Sequence, residues 1–194
     1  TTWRVQGTAG EVADILRDPL ALARWWPAVY LDVRELQPAD DRGLHQRVRV
    51  HTKGWLPYTL TWEFEVTSSH YPDHFALEAT GDFVGRGVWT IEQDGGWVNA
   101  TYDWRIRAEK PLLQRLAPLL RRLFEANHRW AMRQGEESLV LELRRRRAAS
   151  ADARRSVPPP PGPVTYAGVG LVAGAAVVGG TLAYLVLRNK RRRR

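Results

Sequence analysis

The stretch Tyr58-Thr59-Leu60-Thr61-Trp62-Glu63-Phe64-Glu65-Val66 decides the fold. Large apolar side chains stand at every second position with Thr or Glu between them, the period of a strand with one face in a core and the other in water. Val98-Asn99-Ala100-Thr101-Tyr102-Asp103-Trp104-Arg105-Ile106 repeats the pattern further along.

Outward from these two strands, the region from Val29 to Arg107 breaks into short runs separated by turn residues, the mark of an antiparallel sheet. Six strands are expected, at Tyr30–Leu36, His45–Thr52, Tyr58–Thr67, Phe75–Thr80, Val84–Glu92 and Val98–Arg107, with a seventh at Trp3-Arg4-Val5. Pro38-Ala39-Asp40-Asp41, Gly54-Trp55-Leu56-Pro57, Tyr71-Pro72-Asp73 and Asp94-Gly95-Gly96 supply the turns.

Two short helices follow the first strand. Thr8 is placed to cap Ala9 to Arg17, with Glu11 at the capping-box position, and Asp18-Pro19 separates this helix from Leu20 to Trp26. A long helix opens at Pro111 and runs over Leu112–Leu143, with Leu123, Asn127, Trp130, Gln134 and Ser138 recurring along one stripe. The stripe turns polar in its second half, which a helix over a dry core does not need.

Charge is unevenly distributed. Thr1 to Leu143 holds 17 Lys+Arg against 20 Asp+Glu, a net −3; the remaining residues hold 12 against 1, a net +11, which together give the chain's +8. The globular part therefore lacks the basic face that a phosphate backbone demands, so nucleic acid is not an expected partner. Cysteine is absent, which excludes disulfides, thiol nucleophiles and Cys-bound zinc.

The composition changes again after Leu143. Residues 144–163 read as an Arg- and Pro-rich linker. Val164 to Leu187 then gives 24 uncharged residues, long enough for a single C-terminal transmembrane helix across about 30 Å of hydrocarbon. Arg188, Lys190 and Arg191 begin a basic tail, 188–194, placed to meet anionic headgroups. Gly170 and Gly174 form a small-xxx-small pair suited to a homodimer through the membrane. The arginines on both sides of the span compete over sidedness, and those upstream favour a cytoplasmic domain.

Trp3-Arg4-Val5 to Gly7, Arg24-Trp25-Trp26-Pro27 after the paired short helices, Gly81-Asp82-Phe83-Val84-Gly85-Arg86-Gly87, Tyr102-Asp103-Trp104 and the long terminal helix resemble the START-like SRPBCC superfamily. That superfamily includes the polyketide cyclase/dehydrase-like proteins. The resemblance covers residues 1–143. It implies an α+β helix-grip fold, a bent antiparallel sheet of about seven strands wrapped around the C-terminal helix, with a hydrophobic cavity between them. It carries over no catalytic residue and fixes no reaction.

In that picture the inward strand positions are Tyr58, Leu60, Trp62 and Phe64, then Phe75, Leu77, Trp89 and Ile91, then Tyr102 and Trp104, with Asn127, Trp130 and Gln134 contributed by the helix. They line either a ligand cavity or an ordinary packed core; a ligand site of this kind is mostly apolar with a few polar anchors. His128 and Asp103 are the weak catalytic candidates, with no partnered acid or nucleophile evident from spacing. His70 and His74 straddle Pro72, so a helical metal site is not available, and neither metal nor cofactor is expected. Gly81, Gly85 and Gly87 read as a site of strand curvature rather than as a phosphate loop.

Three functions follow as expectations. The first is a membrane-tethered binding domain for a lipid, polyketide or similar molecule. The second is an enzyme of the cyclase/dehydrase kind, using His128, Asn127, Tyr102 and Asp103 in the same cavity. The third is an interaction module, which requires Trp25, Trp26 and Trp55 on an exposed apolar patch.

Overall fold

The computed structural model describes residues 1–108 and 111–166, without the side chains of 108–121. By contacts the chain divides into Thr1–Pro163 and Val164–Arg194. Only residues 164–166 of the second unit are described, without regular structure, so the expected transmembrane span, the Gly170/Gly174 pair and the basic tail lie outside the described residues. Among the described residues no helix is long and apolar enough to cross a membrane.

In the first unit, β1 (Thr2–Gln6) is followed by α1 (Ala9–Leu16), a 3-10 turn at Pro19–Ala21 and α2 (Leu22–Trp25). Six strands come next: β2 (Tyr30–Gln37), β3 (Arg47–Lys53), β4 (Thr59–His70), β5 (His74–Gly81), β6 (Phe83–Asp94) and β7 (Trp97–Ala108). The chain then forms α3 (Pro111–Arg147) and α4 (Ala151–Ser156). All seven strands make one antiparallel sheet in the order β1-β7-β6-β5-β4-β3-β2. Hairpins join consecutive strands from β2 to β7, and β1 closes the far edge against β7, with Trp3 opposite Ala100. This is the helix-grip arrangement.

The local signals hold in detail. Thr8 accepts a hydrogen bond from the Glu11 backbone N–H while the Glu11 carboxylate accepts one from the Thr8 N–H, a complete capping box that satisfies two otherwise orphaned donors. Along β4, Leu60, Trp62 and Phe64 are buried while Thr59, Thr61 and Thr67 are exposed, as the alternation requires. At Gly85 the backbone takes φ +149, and a Cβ there would collide with the Arg105 carbonyl oxygen, so this position of the bent sheet admits no side chain.

The long helix differs from the expectation in two ways. Its buried face carries Met132, Gly135, Ser138, Leu139, Glu142 and Leu143, whereas Trp130 and Gln134 are half-buried beside it. The inward stripe is therefore rotated by about one residue from the stripe through Trp130 and Gln134. Gly135 explains why: a Cβ there would stand 2.5 Å from the Trp26 ring and 2.6 Å from the Trp3 ring, so two indoles pack directly onto the helix backbone. Periodicity counts apolar side chains and does not register a face whose closest contact is made by a residue without one.

The helix also continues past Leu143 to Arg147, so the first four arginines assigned to a linker belong to the domain. The buried Glu142 carboxylate explains the extension. It accepts two hydrogen bonds from Arg24, at 2.9 and 3.0 Å, and further ones from Arg146 at 3.0 Å and Arg145 at 3.3 Å. Burial alone would raise the Glu142 pKa, but the bonds from Arg24 and Arg146 outweigh it and leave the pKa below its ordinary value. Arg147 in turn binds both oxygens of Glu11, at 2.7 and 2.8 Å, which fastens the helix end to α1. Arg145 continues the connection by donating to the Pro158 carbonyl at 2.6 Å.

Candidate functional site

Register builds the inner surface of the sheet. Phe75 on β5 lies opposite Trp89 on β6, which lies opposite Tyr102 on β7, so three rings of one face meet across three strands. Trp89 and Tyr102 stack with centroids 4.4 Å apart, and Tyr102 stacks on Trp104, two residues along its own strand, at 5.4 Å. Trp104 then meets Trp62 at 5.5 Å. The Tyr102 and Trp104 rings lean over Gly87, where a Cβ would collide with the Tyr102 hydroxyl and fall 2.8 Å from Trp104. The glycine read as curvature is thus also the space into which two rings fold.

Between this aromatic surface and α3 lies a cavity of about 780 Å³, within the range of small-molecule sites. Leu60, Trp62, Tyr102 and Trp104 form its sheet side, and Phe124, Asn127, His128, Ala131 and Met132 its helix side. Trp26, Tyr30, Thr52 and Tyr58 contribute where α2 and β3 approach. A smaller space of about 160 Å³ lies towards α1, with Phe64, Phe75, Leu77 and Trp89 in its walls. Trp26, Tyr30, Trp62 and Tyr102 border both spaces.

Ten of the thirteen expected cavity residues therefore line one space or the other: Tyr58, Leu60, Trp62, Phe64, Phe75, Leu77, Trp89, Tyr102, Trp104 and Asn127. Ile91 is core, 2% exposed and paired with Ala100, and Trp130 packs beside the core. Gln134 lines neither space, a consequence of the helix rotation. Trp26, Tyr30, Thr52, Phe83, Phe124 and Met132 line the large cavity without having been expected there. Phe124, His128 and Met132 fall four apart on one helix face, a spacing that marks them once the stripe is moved by one residue.

The polar groups of the site hold distinct positions. The Trp62 indole N–H donates to the Thr52 hydroxyl at 3.0 Å, which donates to the Leu60 carbonyl at 3.3 Å, so the ring is fixed and its donor satisfied inside the protein. The Asn127 side-chain oxygen accepts from the backbone N–H groups of Trp55 and Leu56, at 2.9 and 3.2 Å. Gly54 allows this approach, because a Cβ there would collide with that oxygen. Asn127 is thus a strap between helix and β3–β4 loop at the cavity, besides lining it.

Burial lowers the His128 pKa below its ordinary value, with smaller contributions from the N-terminal ammonium and Arg129, so the imidazole is neutral near pH 7. Burial also pushes up the Tyr30 and Tyr102 hydroxyls, keeping both phenols protonated. Asp103 stands apart: it is exposed on the opposite face of β7 and binds Arg105 at 2.9 Å, so it does not reach the cavity. Trp25 and Trp26 are 0% and 5% exposed and Trp55 is half-buried, so the exposed aromatic patch required by an interaction module is not formed by these residues. His70 and His74 face each other across the β4–β5 hairpin with ring centroids 6.0 Å apart.

Comparison with solved structures supplies the fold's relatives. The ZhuI aromatase/cyclase from Streptomyces sp. R1128 is 21% identical with a TM-score of 0.60, over 78% of this chain and 95% of its own. A Thermus thermophilus protein is 18% identical with a TM-score of 0.57, over 74% of this chain and 91% of its own. A protein from Arthrobacter aurescens is 17% identical with a TM-score of 0.50, over 71% of this chain and 83% of its own. No family model and no curated protein matches the sequence. The fold of the domain is the helix-grip fold. At these identities the likeness extends to the fold, and fold does not dictate function.

Proposed function

We propose that the domain binds a hydrophobic or amphipathic small molecule in the large cavity. The observation that carries this reading is the space itself: about 780 Å³ left open between the rings of Trp62, Tyr102 and Trp104 and the helix, where a packed core would hold side chains. The helix-grip likeness to an aromatase/cyclase supports it at the level of fold. The neutral dye phenylnaphthylamine, which fluoresces in apolar surroundings, should bind the protein, and Ala131→Trp, which fills the cavity from the helix side, should abolish the signal. Binding that survives Ala131→Trp, or absence of both dye uptake and copurified lipid by mass spectrometry, overturns the proposal.

A second reading, catalysis of the cyclase/dehydrase kind, is favoured by one observation: a neutral imidazole, His128, lines the same cavity as the Tyr30 and Tyr102 phenols. Such a group in apolar surroundings acts as a general base. Eliminative ring-opening of nitrobenzisoxazole, a generic substrate for a base in an apolar pocket, should run above the buffer rate and fall to it in His128→Gln; equal rates in the two proteins exclude His128 as the base.

The membrane tether belongs to the same proposal and rests on the 24 uncharged residues Val164 to Leu187. The domain lies on the cytoplasmic side, Arg188, Lys190 and Arg191 meet anionic headgroups at the far end of the span, and Gly170 with Gly174 pairs two chains. Flotation of the full chain with phosphatidylglycerol vesicles at high salt, and loss of crosslinked dimer on Gly174→Leu, are the expected results. Full release from the vesicles by salt alone rules out a spanning helix, and unchanged crosslinking rules out the glycine pair.

A further inference from the structure

The polar groups of the large cavity fall into two sets. The Trp62 indole N–H and the Asn127 side-chain oxygen are satisfied within the protein, by Thr52 and by the backbone of Trp55 and Leu56. The hydroxyls of Tyr30 and Tyr102 are not: among the described residues neither makes a hydrogen bond, and burial is the main cause of the raised pKa of each. Charge on Tyr30 would raise Tyr102 further, so the two phenols are electrostatic neighbours. Both border the large cavity and the smaller space beside it, which puts the pair between the two. The neighbours of each are rings: Trp26 lies edge-on to Tyr30 at 5.2 Å, and Trp89 and Trp104 stack on Tyr102 at 4.4 and 5.4 Å.

A phenol held protonated is a hydrogen-bond donor, and a donor taken from water without an acceptor is costly. Packing does not demand that cost, because phenylalanine would place the same rings without it. The group that complements two such donors is an acceptor, and its surroundings select its kind. An ionised oxygen would leave water for the company of rings, at far greater cost than a neutral carbonyl. Resting on the binding reading above, we infer that the occupant of the large cavity is an apolar molecule carrying a ketone, quinone or ester carbonyl, whose oxygen accepts from Tyr30 and Tyr102. Its hydrocarbon body lies against Trp62, Trp104 and Phe124. The carbonyl fixes which end of the molecule points towards the smaller space, so the two phenols set orientation as well as selectivity.

Fluorene and fluorenone test this, since they share one ring framework and differ by a methylene against a carbonyl. Each is measured by displacement of phenylnaphthylamine from the full chain. Tyr30→Phe and Tyr102→Phe keep the rings and remove the donors, and each should lower affinity for fluorenone about fivefold more than affinity for fluorene. The carbonyl stretch of bound fluorenone should lie at lower frequency in the wild-type protein than in the variant carrying both changes. Equal losses of the two compounds in either single variant, or one carbonyl frequency in both proteins, overturn the inference, while phenylnaphthylamine binding leaves the cavity reading in place. Failure of phenylnaphthylamine and both competitors to bind overturns the two together.

Discussion

The two ends of the interior are built from the same residue type and end up opposite in character. Under β1 and the second half of α3, Trp3 meets Trp26 edge-on at 5.4 Å, Trp26 meets Trp25 at 5.5 Å, and the rings of Trp3 and Trp26 close over Gly135 with Leu139 and Glu142 behind. Under β4 and β7, Tyr102 stacks on Trp104, which meets Trp62 at a tilt, and the helix opposes these rings with Phe124, Ala131 and Met132 across open space. Tryptophan content alone does not distinguish a core from a cavity. What distinguishes them is whether rings interlock with the helix or with each other.

The sharpest way to break this contrast is at the closed end. Gly135→Leu places a side chain where two indoles already sit, so it should destabilise the domain by about 2–3 kcal/mol in urea unfolding. Gly135→Ala should also destabilise, reversing the gain of roughly 1 kcal/mol that alanine normally gives over glycine inside a helix; a more stable alanine variant shows the helix is not seated on the two rings.

Next in size is the charged clamp behind that end. Glu142→Gln removes a buried acceptor of several charge-assisted bonds and should cost about 2 kcal/mol. Glu11, held by Arg147 and the Thr8 cap, has its pKa lowered from 4.5 to about 2. A depressed carboxylate contributes stability fully present above its unfolded value and lost as pH falls through its folded value. The melting temperature should therefore fall between pH 4.5 and about 2, and fall less in a variant carrying both Glu11→Gln and Glu142→Gln; parallel curves discount the two clamps as its source.

At the open end the expected effects on stability are smaller. Asn127→Ala cuts the strap to Trp55 and Leu56 and should cost about 1 kcal/mol, while speeding release of bound phenylnaphthylamine in stopped-flow fluorescence. Unchanged release shows that the strap does not control access. Asp103→Asn, on the outer face of the same strand as Tyr102 and Trp104, should shift stability by less than about 0.5 kcal/mol and leave dye binding as it was.

Much of this was legible along the chain because strand faces and caps are set by near neighbours. The alternation through Leu60, Trp62 and Phe64 marked the inner face correctly, and the Thr8–Glu11 capping box followed from a spacing of three. The helix was harder, since a one-residue shift in its inward face leaves the sequence period intact. Gly135 fixes the true face by what it lacks. Likewise Arg145 to Arg147 fall in what the composition marks as a linker, whereas the fold brings Glu142 and Glu11 to them, from neighbouring helical turns and from the other end of the domain.

By itself the sequence determined which segments become strands, which of their faces are apolar, where the helices start, and that no thiol chemistry is available, because each depends on residue type and short spacing. Only the tertiary structure decided that the aromatic face borders an open cavity, that Asn127 serves as a strap, and that Asp103 points away. Those outcomes depend on the bend of the sheet and the rotation of α3. Both are set by contacts between residues far apart in the chain.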